Sequence, residues 1–348
     1  MKRTNSCFAI LVVACLAPLT SAATIDTVRI GNPGNAPDAR HLNRTQPDLG
    51  SVAKPFNIGK TEVTNAQYVE FLNAVAASDT YGLFNVNMTN IDDGGIVRSG
   101  APGSYSYKVK SPEMNGTYAY DNKPVVFVGW ADVLRFVNWL HNEQPAGMQD
   151  VSTTEDGAYT LNGVSTNLEY AAITRNSNAR WFLPNENEWY KAAYYNPVTG
   201  GYYEYPTGSN TLPNNNQPSS DTGNSANYYN SATGGNTTGE AFHTMTDVGA
   251  YVLSISPNGT FDQGGNAREW NETRFGAELN FPGLRGGSSH SNGSGLGAAS
   301  FAYNNPRVES SVVSFRVASP VPIPEPATAW LTALAMLRLW AGRRASQR

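Results

Sequence analysis

The chain has 348 residues, 40% of them hydrophobic and 15% charged, with a formal net charge of −4. That is enough to bury one large core or two ordinary ones, and it excludes a disordered polyelectrolyte. The acidic balance argues against a nucleic-acid or anionic-lipid partner, more so because the two ends hold Lys2, Arg3, Arg338, Arg343, Arg344 and Arg348.

Residues 1–23 read as an export signal: Met1-Lys-Arg, an apolar run from Cys7 to Leu19, then Thr-Ser-Ala-Ala. The run is too short for a comfortable membrane span. Cleavage after Ala22 or Ala23 removes Cys7 and Cys15, the only cysteines, and leaves neither thiol chemistry nor a disulfide.

Asp26 to Leu49 is polar, Pro/Gly-rich and reads as an irregular edge segment, followed by a short strand from Phe56 to Lys60. Thr64 caps a helix from about Asn65 to Ala76, with Gln67 closing a capping box. Tyr68, Phe71, Leu72 and Val75 recur at helical spacing and give that helix one buried face. Gly94 to Ile96 and Tyr105 to Val109 suggest short strands between turns. Pro124 to Val128 reads as a strand running into a second helix from Trp130, ended by His141, whose charge would suit a helix C-terminus.

Ala158 to Leu161, Glu169 to Ile173 and Arg180 to Pro184 read as further strands. Asn185 caps a third helix, with Glu188 at the capping-box position and Glu186 in the first turn, as caps rather than catalytic acids. Pro197 to Gly239 is a long polar loop of a kind that is often functional; Ser225 to Tyr228 is its one step that docks on the core. Val248 to Ser254 and Val313 to Val317 read as the last strands. No repeat, heptad or linker interrupts Asp26 to Pro320. The expectation is one α+β domain, residues 24–319, with three modest helices among many short strands.

The stretch Asn258 to Trp270 organises the rest. Asn258-Gly259 and Gly264-Gly265 permit positive φ, so the backbone turns tightly and points carbonyls inward, with Asp262 and Glu269 adding carboxylates. Such a loop suits a hard cation such as calcium. The other reading is a plain turn whose carboxylates cap amides while Trp270 plugs the core.

The C-terminus reads Pro322-Ile-Pro-Glu-Pro326, then an apolar run from Ala327 to Ala341 interrupted by Arg338, then Arg343-Arg344. This resembles the PEP-CTERM sorting signal of bacteria that make extracellular polysaccharide. The resemblance implies a tail, residues 320–348, held transiently in the membrane and handled by exosortase-type processing machinery. An ordinary single-span anchor is the alternative. Either places the domain outside the cytoplasm, in the cell envelope or beyond it.

Five segments stand in one order: Ile58 to Tyr68, Pro124 to Trp130, Arg180 to Trp189, Gly265 to Trp270 with Arg285-Gly-Gly-Ser288, and Ser314 to Val317. Together, over about Val28 to Ala318, they resemble the sulfatase-modifying factor family, whose founding activity is the formylglycine-generating enzyme. The resemblance implies a compact, irregular α+β fold related to C-type lectins, with two structural calcium sites. One would use the side chains of Asp262 and Glu269 with the carbonyls of Gly265 and Ala267. The other would use Asn227, Glu240 and the carbonyls of Tyr228 and Phe242.

The chemistry departs from the family. Its oxidase holds copper with two cysteines shortly after the Gly-Gly-Ser motif, where this chain reads Ser288-Ser-His-Ser-Asn-Gly-Ser294. Ser291 stands near the first cysteine position, and Arg268 replaces the usual tryptophan before Glu269. A hydroxyl cannot replace a thiolate for Cu(I), so no copper is expected and no catalytic residue is assigned. The histidines, His41, His141, His243 and His290, stand apart and offer no cluster for the family's iron chemistry. His290 among serines is the basis for a hydrolase alternative.

The expected role is a surface-associated binding or matrix module, with extracellular polysaccharide or an envelope protein as partner. Its groove would be formed by Arg268, Trp270, Arg285, Ser288, Ser289, His290 and Ser291. The alternative is an enzyme of the family, acting by protein-cysteine oxidation or by another, non-thiol chemistry.

Overall fold

The computed structural model describes residues 22–41, 47–238, 242–276 and 280–321. The sorting tail beyond residue 321 and nearly all of the export signal lie outside these residues. Among the described residues, no helix is long and apolar enough to cross a membrane.

In chain order, β1 (Thr27–Ile30) and β2 (Phe56–Gly59) lead into α1 (Asn65–Val75) and a one-turn α2 (Asn87–Asn90). Next come β3 (Ile96–Ser99), β4 (Ser106–Val109), α3 (Trp130–His141), α4 (Asn167–Ala172) and α5 (Glu186–Tyr194). A small hairpin of β5 (Tyr229–Asn230) and β6 (Gly235–Asn236) interrupts the long polar loop. The chain ends with β7 (Arg268–Phe275), β8 (Phe281–Arg285), β9 (Ala302–Tyr303), β10 (Val313–Ser314) and β11 (Ala318–Pro320).

The start and end of the domain share one sheet, in the order β1-β2-β11. Both outer strands run antiparallel to β2, with Thr27 opposite Gly59 and Pro320 opposite Phe56. A second sheet, β10-β7-β8-β9, carries the motif segments: Glu269 pairs with Arg285 and Trp270 with Leu284.

The three expected helices are present, and their caps form as the residues dictate. Gln67 N–H donates to Thr64 Oγ1 while Thr64 N–H donates to the Gln67 side chain, and Asn185 and Glu188 make the same reciprocal pair. α1 and α3 meet through Tyr68, Phe71, Phe136 and Trp139, with Phe315 completing the cluster; ring centroids lie 5.3–5.9 Å apart. Each such aromatic pair adds roughly 0.5–1.5 kcal/mol beyond the area it buries.

Several expected strands are not strands. Glu169 to Ile173 lies in α4 and just beyond it, because Thr166 and Glu169 form a capping box. Pro124–Val128, Ala158–Leu161 and Arg180–Pro184 are largely buried irregular passages, the first broken by Phe127 at φ +61°, with isolated bridges at Pro124, Tyr159 and Phe182. Val248 to Ser254 is a series of turns, and of the last expected strand, Val313 to Val317, only Val313–Ser314 forms β10, with β11 beginning just beyond it. Short apolar runs satisfy their burial without a full ladder, so periodicity alone does not decide between the two. The edge segment after Asp26 does contain a strand, β1. His141 is also not a charged helix end: it is 9% exposed, and its Nδ1 accepts from Arg180 N–H at 3.0 Å. Burial, helped by Arg180, lowers its pKa, so it serves as a neutral acceptor.

Candidate functional site

Asn258 to Trp270 turns as its residues demand. Gly259 and Gly265 adopt φ of +89° and +96°. A Cβ on Gly265 would meet the Asn227 carbonyl at 2.2 Å, so only glycine fits there. The turn delivers Glu269, 0% exposed, into a fully buried network. Arg316 Nε and Trp189 Nε1 donate to Glu269 Oε2 at 2.6 and 2.8 Å, and Arg316 Nη2 donates to Oε1 at 2.7 Å. Arg316 also donates to the carbonyls of Gly59, Lys60 and Phe261. The Glu269 carboxylate is therefore held by a guanidinium that also takes three carbonyls, none of them those of Gly265 or Ala267.

The charges beneath this turn do not balance. Glu62 (1% exposed) and Asp262 adjoin the same arginine, giving three carboxylates around one cation. Burial, then the neighbouring Asp262, pushes the Glu62 pKa well up, and burial pushes Asp262 to about 6. Glu62 Oε2 lies 3.9 Å from Arg316 and is a buried oxygen without a hydrogen-bond partner among the described residues. Asp262 Oδ2 accepts from Gly249 N–H at 2.6 Å. Surplus buried negative charge of this kind fits a divalent cation. In the second implied calcium set, Asn227 donates to the Thr244 carbonyl and to Asn266, while its Oδ1 is another buried acceptor without a partner. That orphan fits a cation too. Of the rest of that set, Glu240 lies outside the described residues, and the Tyr228 carbonyl faces the Thr237 hydroxyl at 3.4 Å. Phe242, the remaining member, is 65% exposed.

The expected groove needs correction. Trp270 is 0% exposed and donates through Nε1 to the Val128 carbonyl at 3.0 Å, so it plugs the core. Arg285, 3% exposed, is bonded to Glu186 and to the Ala298 carbonyl. Ser288 and Ser289 are buried as well, the latter sharing a hydrogen bond with Thr244 at 2.9 Å. These four cannot line an open surface: Trp270 on β7 points into the core, Arg285 on β8 points to Glu186 of α5, and the turn after β8 buries Ser288 and Ser289. Arg268, His290 and Ser291 remain at the rim. Ser291 Oγ accepts from Ser288 N–H at 3.0 Å and from Arg268 Nη2 at 3.1 Å, and no imidazole contacts it. The rim thus has no Ser–His pair of the kind nucleophilic catalysis needs.

Open space lies on the other side of Met245, which touches Ser289 and lines a cavity of about 400 Å³. Lys123, ion-paired with Asp247, sits 4.6 Å over the Tyr118 ring there. His243 packs edge-on against Tyr118 at 4.8 Å, and its Nε2 lies 2.7 Å from Glu113 Oε2. That hydrogen bond, aided by Lys110, holds the Glu113 carboxyl down at about 2. Asp92 completes a three-residue group with them. His243 is therefore not isolated, although nothing in its sequence neighbourhood points to Asp92 or Glu113. Glu62 and Arg316 do carry a signal: a charged residue inside an apolar motif segment marks a buried ion pair. Elsewhere, a cavity of about 610 Å³ is bordered by Asp79, Asp132 and Glu309; burial, then Glu309, raises Asp132 to about 8.

A family model for the sulfatase-modifying factor enzyme 1-like domain matches residues 23–321. The solved structures that this chain is similar to include the crystal structure of CarF, at 22% identity, 86% coverage of this chain, 100% of that chain and a TM-score of 0.47. Treponema denticola variable protein 1 is similar at 16% identity, 86% and 94% coverage and a TM-score of 0.48. PvdO from Pseudomonas aeruginosa is similar at 15% identity, 86% and 99% coverage and a TM-score of 0.46. No curated protein matches the chain.

Proposed function

The chain belongs to the sulfatase-modifying factor family, and from that premise we propose that it is an exported, surface-associated binding or matrix module and not a thiol-dependent oxidase. The observation that carries this reading is the lack of any cysteine after Cys15. Ser291, near the position of the family's first copper ligand, is tied to Ser288 and Arg268. Hydroxyls do not hold Cu(I), and the rim offers no substitute nucleophile.

The recognition surface is the cavity bordered by exposed Asp247 and partly exposed His243, with Tyr118, Lys123 and Met245 as its buried wall. The Lys123–Asp247 ion pair and the His243 imidazole at this cavity suit a saccharide, whose hydroxyls both donate and accept. The partner is extracellular polysaccharide or an envelope protein, with the C-terminal tail handled by exosortase-type machinery. Calcium is structural: Asp262, Glu269 and the carbonyls of Gly265 and Ala267 would hold one ion, and Asn227, Glu240 and the carbonyls of Tyr228 and Phe242 a second. When bound, the ions supply positive charge that the buried carboxylates lack.

The test is binding of purified residues 24–319 to the host's extracellular polysaccharide, with calcium and then with a chelator. The expected result is saturable binding that chelation abolishes, together with a lowered melting temperature. Absence of binding in both conditions overturns the saccharide reading, and copper or iron co-purifying with the protein favours an enzyme.

A further inference from the structure

We propose that Asp92, Glu113 and His243 form a binding site for a first-row divalent transition metal, distinct from the calcium positions and independent of the saccharide reading. The three come from separate segments: the turn after α2, the stretch before Tyr118, and the segment after the long polar loop. One ligand atom from each lies within 4.8 Å of the others. The imidazole Nε2 and Glu113 Oε2 are already 2.7 Å apart.

The backbone is held so that the three stay together. Asp93, buried, accepts from Thr244 N–H at 2.6 Å, which fixes the residues next to Asp92 and His243 against each other. The Tyr120 hydroxyl donates to the Asp92 carbonyl at 2.9 Å, and the Tyr118 ring backs the imidazole. Orienting contacts around the ligands, and not only the ligands, make a usable metal site.

The donor set selects the ion. Calcium and magnesium take oxygen ligands, whereas one imidazole with two carboxylates suits zinc, cobalt, manganese or iron. Three protein ligands leave at least one coordination position, and His243, though not Asp92 or Glu113, borders the 400 Å³ cavity. Lys110 Nζ, 3.0 Å from Glu113 Oε1, is the group a metal must compete with. Binding replaces the hydrogen bond between His243 Nε2 and Glu113 Oε2 with bonds from both atoms to the metal.

The test is titration of untagged, chelator-stripped full-length protein with Co²⁺ in excess calcium, followed by visible absorption and then by displacement with Zn²⁺. The expected result is saturable binding at one ion per chain, weakened more than about 10-fold in His243→Ala. Glu113→Gln, at a half-exposed position, gives the same weakening with an unaltered melting temperature. No Co²⁺ binding by the wild-type protein, or wild-type affinity retained by both His243→Ala and Glu113→Gln, overturns the site.

Discussion

Glu269 and Glu113 each hold a charged or chargeable partner at 2.6–2.7 Å, yet Glu269 is 0% exposed and the Glu113 side chain 36%. Both side chains bonded to Glu269, Arg316 and Trp189, come from motif segments, and the network is sealed beneath β7, β8 and α5. Around Glu113 the neighbours come from polar turns without motif, and His243 borders a cavity. The motif-dense region is spent on holding the fold together, while the region with the least regular sequence keeps its side chains free for chemistry.

The harshest way to break this comparison is Arg316→Met. Removing the one guanidinium strands three buried carboxylates, and a loss of about 3–5 kcal/mol is expected by urea unfolding. A loss under about 1 kcal/mol would mean the sealed network is not the scaffold.

Asp132→Asn sharpens it by asking what burial does where no cation is bonded to the carboxylate. The folded pKa of Asp132, about 8, lies above its ordinary 3.8, so the folded state holds the proton more tightly. The stability from that proton is present below pH 4 and is lost as pH rises through about 8. Thermal melts from pH 4 to 9 should decline in the wild type and be flatter in the variant by more than about 1 kcal/mol. Parallel curves would assign the slope elsewhere.

The smallest effect belongs to the open cluster. In metal-free protein His243→Ala should cost less than about 1 kcal/mol, as a half-exposed pair does. A cost comparable to that of Arg316→Met would make His243 part of the scaffold and erase the contrast.

Much of the fold is legible in the chain itself. Thr64-x-x-Gln67 and Asn185-x-x-Glu188 announce two helices, and Gly259 and Gly265 announce the turn, because caps and positive φ are local matters. The plain-turn reading describes Trp270, a ring in the core, and Asp262, which caps the Gly249 amide, but Glu269 is bonded to Arg316 and Trp189 side chains and not to amides. Buried irregular passages such as Pro124–Val128 are not legible, since burial and not a ladder fixes their shape. Nor is the Asp92–Glu113–His243 group: its members are brought together by Asp93 and Thr244, 151 positions apart, and no spacing rule reaches that far.

The sheet that joins the two ends also has a mechanical meaning. The chain enters β1 at the Gly59 end of β2 and leaves β11 at the Phe56 end. Tension applied between residues 27 and 320 therefore pulls along the strands in opposite senses, across hydrogen bonds that lie perpendicular to the load. The bonds of each pair resist together in shear and do not peel one after another. A domain tethered at its C-terminal end and held through its body would meet force with its stiffest geometry.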